Sequence, residues 1–160
     1  YMVKLRTELD VRSIRFAGIE AAKPGPGVIE SLADAEMVIL APSNPFVSIG
    51  PILGVPGVRA ALETTKAVRV AISPIIAGQV VKGPAAKMMT TLGYEVSALG
   101  VAKIYDGLVD LFVLDEQDRD LAPKVEALGM RTLVTDTMMT SMERKAELAR
   151  EVVAAARGAR

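Results

Sequence analysis

The residues of this chain that could do chemistry stand in groups, each placed directly after an apolar run. Ser43, Asn44 and, four residues on, Ser48 follow the run at 37–41. Ser73-Pro74 follows the run at 68–72 and leads through Gly78 and Lys82 to Gly83 and a proline-opened segment carrying Lys87. Asp115 and Asp136-Thr137 follow the runs at 109–114 and 132–135. Open α/β sheets bind ligands where a buried parallel strand ends in small polar residues ahead of a helix, because free backbone N–H groups and the positive helix end meet there. Hydroxyls and amides at such a point bind phosphate oxygens without a lysine. A glycine-flanked lysine such as Lys82, just before a helix start, adds a point charge to that field.

Each group also has a purely structural reading. Pro42-Ser43-Asn44-Pro45 has the composition of a turn in which Ser or Asn caps a helix. Lys82 and Lys87 equally suit a solvated surface. Asp115 and Asp136 read first as caps or loop carboxylates, and Met88-Met89 and Met138-Met139 as adaptable core filling.

Composition narrows the chemistry. The 160 residues contain no histidine and no cysteine. A His-based triad, a His-ligated zinc and a thiol nucleophile are therefore outside the chain's means, leaving carboxylates, lysines, hydroxyls, backbone amides or an oxygen-bound Mg²⁺. Charge is balanced at 19 basic against 19 acidic residues, with three Phe, three Tyr and no Trp. Nucleic-acid partners, which require a basic stripe or stacking aromatics, are disfavoured. No apolar run approaches the roughly 18 residues of a membrane span. The absence of cysteine fits a reducing, cytoplasmic setting.

The elements that must position these groups read as repeated strand and helix units. Short apolar runs at 37–41, 68–72, 109–114 and 132–135, separated by helical segments, are the pattern of strands buried on both faces of a parallel sheet. A shorter alternating strand is expected at 13–17. Helices are expected at 26–34, 56–64, 84–92 closed by Gly93, and 119–128 closed by Gly129. The last helix spans about 141–156, with Thr140 and Glu143 at a capping-box spacing. Its Met142, Ala146, Ala149, Val152, Val153 and Ala156 fall on one stripe and Arg144, Glu147, Glu151 and Arg157 largely off it, so it is expected to pack on the sheet and do no chemistry. The expectation is a single α/β domain over 1–160: a three-layer, mainly parallel, Rossmann-like sheet with helices on both faces.

Four stretches in order, APSNP-x-x-SIGPIL-x-VPG, SPI-x-x-G-x-x-x-KGPAAKMM, SALGVA and VTDTM, resemble the 2-phospho-L-lactate transferase family of deazaflavin coenzyme F(420) biosynthesis. The resemblance implies movement of a phospholactyl or phosphoenolpyruvyl group from a guanosine diphosphate conjugate to the ribityl hydroxyl of the deazaflavin Fo, with GMP leaving and Mg²⁺ required. It implies that Ser43, Asn44 and Ser48 orient the diphosphate and that Lys82 offsets its charge. Family members are about twice as long, with a Gly-rich phosphate loop and metal-binding aspartates in the other half. The chain therefore reads as the carboxyl-terminal part of a longer transferase, inactive alone, with the Mg²⁺ ligands outside it; a homo-oligomer is compatible with this. Two alternatives stand beside it: a sugar-nucleotide-binding regulator of the gluconeogenesis-factor type, and a structural or oligomerisation half.

Overall fold

The computed structural model describes residues 4, 9–80 and 83–158. Its centre is a four-stranded parallel sheet in the order β1 (Met37–Leu40), β2 (Val68–Ile72), β5 (Leu111–Asp115), β6 (Arg131–Thr135). Between β2 and β5 a two-residue hairpin pairs β3 (Ile75–Ile76) with β4 (Gln79–Val80) across a turn in which Ala77 and Gly78 both have positive φ. Such a turn matches the right-handed twist of its strands. The Asp118 carboxylate accepts the Ala77 N–H at 3.0 Å and holds the hairpin to the sheet.

Helices lie on both faces, as the two-faced apolarity of the strands demands. α1 (Val28–Asp34), α2 (Gly50–Gly54), α3 (Val58–Thr64), α4 (Ala85–Thr91), α5 (Ala98–Ile104) and α6 (Ala122–Glu126) all belong to the crossovers or precede β1. On this side Leu40, Ala71, Phe112 and Leu114 of the strands pack with Leu62, Met89, Val101 and Val125 of the helices. The other face presents Val68, Val70, Ile72, Leu111 and Val113 to Leu148, Val152 and Ala156 of α7 (Met142–Arg157). At the amino ends of the strands Arg69 of β2 meets Asp110 ahead of β5 through Nη2–Oδ1 at 2.5 Å and Nε–Oδ2 at 3.0 Å.

Several sequence expectations need correction. Residues 13–17 form no strand: Ile14 and Phe16 are half-buried as alternation requires, but Phe16 packs over Gly50 and Gly54, where an added Cβ would stand 3.4 Å and 3.6 Å from its ring. The segment expected as a helix at 119–128 divides into a 3₁₀ turn, Glu116–Leu121, and α6. Helix α5 had not been expected at all. The cap of α7 is Ser141, whose hydroxyl accepts the Arg144 N–H at 3.1 Å, rather than Thr140. The buried stripe of α7 runs through Leu148 in place of Ala149, and Met142 is 71% exposed.

Helix α5 crosses beneath the sheet only because Gly100 lets the incoming chain fold tightly onto it. A Cβ there would stand 2.0 Å from the Glu95 carbonyl oxygen and 2.9 Å from Met89 Cε. The Glu95 oxygen belongs to the backbone, so relief of that contact needs the turn ahead of α5 to shift, and Met89 beside it is fully buried. Gly100→Ala is expected to cost about 3 kcal/mol, the upper range for overpacking, read from the denaturant midpoint at unchanged m-value.

Candidate functional site

The carboxyl ends of β1, β2 and β6 open onto one cavity of about 740 Å³. Ser43, Asn44 and Ser48 form its wall after β1, Ser73 and Pro74 after β2, Gly83 and Pro84 at the start of α4, and Thr137 to Thr140 after β6.

After β1 the chain turns sharply, the Ser43 N–H reaching the Ala41 carbonyl at 2.6 Å. A turn of π-helix follows over Pro45–Ile49 and runs directly into α2. Asn44 caps it: its Oδ1 accepts the N–H groups of Phe46 at 2.8 Å and Val47 at 3.2 Å, while Nδ2 donates to Met88 Sδ at 3.5 Å. The carbonyl of this side chain is thus spent on the cap. Its remaining capacity is one amide N–H, which together with the side-chain hydroxyls of Ser43 and Ser48 meets no partner among the described residues. These are donors suited to an anionic oxygen. Ser73 is 2% exposed, and its hydroxyl closes a local turn by donating to the Ile75 carbonyl at 2.8 Å and accepting the Ile75 N–H at 3.1 Å.

The wall after β6 is fixed by a buried carboxylate. Asp115, 3% exposed, ends β5 and accepts the Thr137 N–H and hydroxyl through Oδ2 at 2.8 and 2.9 Å. Its Oδ1 accepts the Gln117 N–H and Nε2 at 3.1 and 3.2 Å. Burial by itself pushes this carboxyl up; the bonds from Thr137 and Gln117 outweigh it and hold the group below the ordinary aspartate value. Asp118 goes the other way, raised by burial and by the neighbouring Asp115 charge against the pull of the Ala77 N–H. Beyond Thr137, Arg144 of α7 donates to the Asp136 carbonyl through Nη2 at 2.7 Å and grips Glu151 with both Nη atoms at 3.1 Å. Thr135 donates to Glu151 as well. Arg144 and Glu151, off the packing stripe of α7 as expected, bolt that helix to the end of β6.

Of the residues singled out from sequence, Ser43, Asn44 and Ser48 converge on the cavity. Lys82 lies outside the described residues. Lys87 is drawn to Asp10 at 3.6 Å. Met138 and Met139 line the cavity, and Met139 is 45% exposed rather than core filling. Sequence reasoning passed over Lys145. This residue of α7 lines the same cavity, and its ammonium pairs with no carboxylate among the described residues. Its position one turn past a capped helix start after a strand end was the available signal.

The chain matches the family model described as 2-phospho-L-lactate transferase CofD over residues 2–155. The chain belongs to the 2-phospho-L-lactate transferase family. It is 43% identical over 155 residues to the 2-phospho-L-lactate transferase of Methanosarcina mazei, covering 97% of this chain and 50% of that protein. It is 41% identical over 157 residues to the phosphoenolpyruvate transferase of Kitasatospora aureofaciens, covering 98% of this chain and 49% of that one. The chain thus spans about half the length of these curated relatives. A crystal structure of a Bacillus halodurans protein overlaps 71% of the chain and 40% of its own at a TM-score of 0.46 and 20% identity. Among the described residues, no single helix of this family member is long and apolar enough to cross a membrane.

Because the folded-state carboxyl of Asp115 titrates lower than in the unfolded chain, its contribution to stability is present above the unfolded value of about 3.9 and is lost as pH falls through the folded one. Asp115→Asn turns an amide toward the Thr137 donors and is expected to cost about 2 kcal/mol at pH 7. Chemical denaturation across pH 2 to 7 checks it: the gap between the two proteins should be level near neutrality and shrink only in the acid range.

Proposed function

We propose that this chain is the diphosphate-binding part of a transferase that moves a phospholactyl or phosphoenolpyruvyl group from a guanosine diphosphate conjugate to the deazaflavin Fo in cytoplasmic coenzyme F(420) biosynthesis. The observation that carries the reading is the convergence of Ser43, Asn44, Ser48 and Lys145 on one cavity at the strand ends, in a chain whose relatives are named as transferases of those two three-carbon acids.

The chemistry suits a chain without histidine or cysteine. The ribityl hydroxyl of Fo attacks the phosphorus that bears the three-carbon acid and gives up its proton to water, the bond from that phosphorus to the bridging oxygen breaks, and GMP leaves with that oxygen. Such transfer asks the protein for positioning and charge stabilisation rather than a covalent intermediate. The Ser43 and Ser48 hydroxyls and the free Asn44 N–H hold the diphosphate oxygens, and Lys145 offsets charge as the bridge breaks, with Lys82 as a second cation. Magnesium needs a set of oxygen donors. Among the described residues no three carboxylates converge, and Asp115 and Asp136 have committed oxygens to backbone N–H groups. These residues do not by themselves fit a magnesium centre.

The 160-residue chain alone is expected to bind GDP in preference to UDP in titration calorimetry and to release no GMP from the donor. Robust Mg²⁺-dependent GMP release by the chain alone, or equal affinity for the two nucleotides, would sink the reading. Lys145→Ala should weaken GDP binding about tenfold, the loss of one charge-assisted contact of about 1.5 kcal/mol, with the thermal midpoint unmoved. Asn44→Ala should lose both the cap, about 1 kcal/mol of stability, and GDP affinity. Affinity per folded molecule left intact in Asn44→Ala would return this residue to capping alone.

A further inference from the structure

The amino ends of the strands carry a second hollow, at the opposite end of the sheet from the cavity that holds Ser43 and Asn44. Strands of four to five residues, at about 3.3 Å each, set the two roughly 15 Å apart. This hollow, of about 460 Å³, is lined by Lys66, Arg69 and Arg131 together with Thr65, Asp110 and Gly129. Three cations therefore share it with a single carboxylate.

That carboxylate is spent on Arg69. Asp110 Oδ2 accepts the Arg69 backbone N–H at 2.8 Å as well as Nε, and Oδ1 accepts Nη2. Burial pushes the Asp110 carboxyl up, and the bonds from Arg69 with the charges of Arg69 and Arg131 outweigh it. The pair stitches β2 to the start of β5, which accounts for Arg69 and Asp110 but not for the other two cations. Lys66 and Arg131 are exposed and make no ion pair among the described residues. Glu63, whose charge also reaches Arg69, is itself paired with Arg59 at 2.8 Å.

The three cations are set in place by the backbone around them. The Arg69 side chain is 18% exposed, and a further bond from Nη1 to the Gly107 carbonyl at 3.3 Å leaves two of its five guanidinium N–H groups uncommitted in a held fork. Lys66 follows Thr65, whose hydroxyl donates to the Leu32 carbonyl at 2.5 Å and accepts the Ala67 N–H at 3.1 Å. Arg131 opens β6 with its N–H on the Asp110 carbonyl at 2.9 Å. A concave surface lined by uncompensated charge of one sign focuses its field on counter-ions. Spare guanidinium N–H groups beside it suit an anion with several acceptor oxygens.

We propose that this hollow is a second oxyanion site, in which Lys66, Arg69 and Arg131 bind a phosphate group, free or carried on a small molecule, independently of the cavity at the carboxyl ends of the strands. Lys66 and Arg131 supply the charge and Arg69 the directed donors. Its volume lies within the range of small-molecule pockets, so the hollow has room for more than the phosphate itself.

The test follows backbone amide chemical shifts of the 160-residue chain while inorganic phosphate or glycerol phosphate is added, with ionic strength held constant by chloride. The Lys66, Arg69, Gly129 and Arg131 amides should move together on one saturable curve with a dissociation constant of about 1 mM or tighter. Tighter binding of glycerol phosphate marks a phosphorylated organic molecule as the ligand, and tighter binding of inorganic phosphate marks the free ion. Lys66→Gln and Arg131→Gln, both at exposed positions, should each weaken the curve about tenfold while the thermal midpoint stays in place. Lys145→Ala, in the other cavity, should leave it unmoved. Shifts that never saturate, an equal response to chloride alone, a curve that neither glutamine variant weakens, or a curve abolished by Lys145→Ala would each overturn the proposal. None of these readouts involves a guanine nucleotide or GMP release, so a failure here is separate from a failure of the transferase reading.

Discussion

The arrangement of the strand ends depends on a carboxylate buried at the tip of β5. In a parallel sheet each strand finishes with backbone groups that have no ladder partner, and the loops that follow must find other ones. Asp115 supplies four acceptor contacts at that point, two to Gln117 and two to Thr137. One side chain therefore starts the 3₁₀ turn after β5 and fixes the loop after β6. From Thr137 the chain passes Met138 and Met139 to α7, whose Arg144 reaches back to the Asp136 carbonyl. The far wall of the cavity and α7 on the second face are set by one ionised group whose bonds repay its burial.

The sheet was legible in the sequence because its strands are apolar on both faces and short, a pattern with few other solutions; the strand at 68–72 is observed over the residues expected. Helix α5 was not legible for the same physical reason. Ala98, Leu99, Val101 and Ala102 are all buried, so the segment shows no 3.6-residue alternation, and only the cap of Ser97 on the Gly100 N–H marks its start. The alternation at 13–17 was real but its cause was misassigned: a half-buried strip lying across a helix pair gives the same pattern as a strand on a sheet. The hairpin of β3 and β4, two residues a side, is too short to carry any period.

Local chemistry governed which parts of the site could be read. The Ser43-Asn44-Pro45 turn declares itself because the cap and the uncommitted donors are supplied by neighbouring residues. The two readings of Asn44 also prove compatible, since Oδ1 serves the helix and Nδ2 keeps an N–H in hand. Lys145 could not be placed on the same wall without knowing that Arg144 and Glu151 turn inward. The expected stripe holds at Val152 and Ala156 but runs through Leu148 rather than Ala149, and a stripe alone carries no information on the polar contacts made beside it.

The open side of the cavity bears on how strongly such a site can act. Ser43 and Ser48 follow β1, the edge strand of the sheet, and on that side their hydroxyls remain accessible to water. A hydrogen bond to a phosphate that competes with solvent nets about 1 kcal/mol, whereas one to a charged group in an enclosed site is worth two or three times that. The field of the Lys145 ammonium at the cavity wall has the same dependence on the surrounding dielectric. Exclusion of water from the Ser43 side would strengthen every hydrogen bond these donors could make to an anionic oxygen, so that their strength depends on what closes the β1 edge of the cavity.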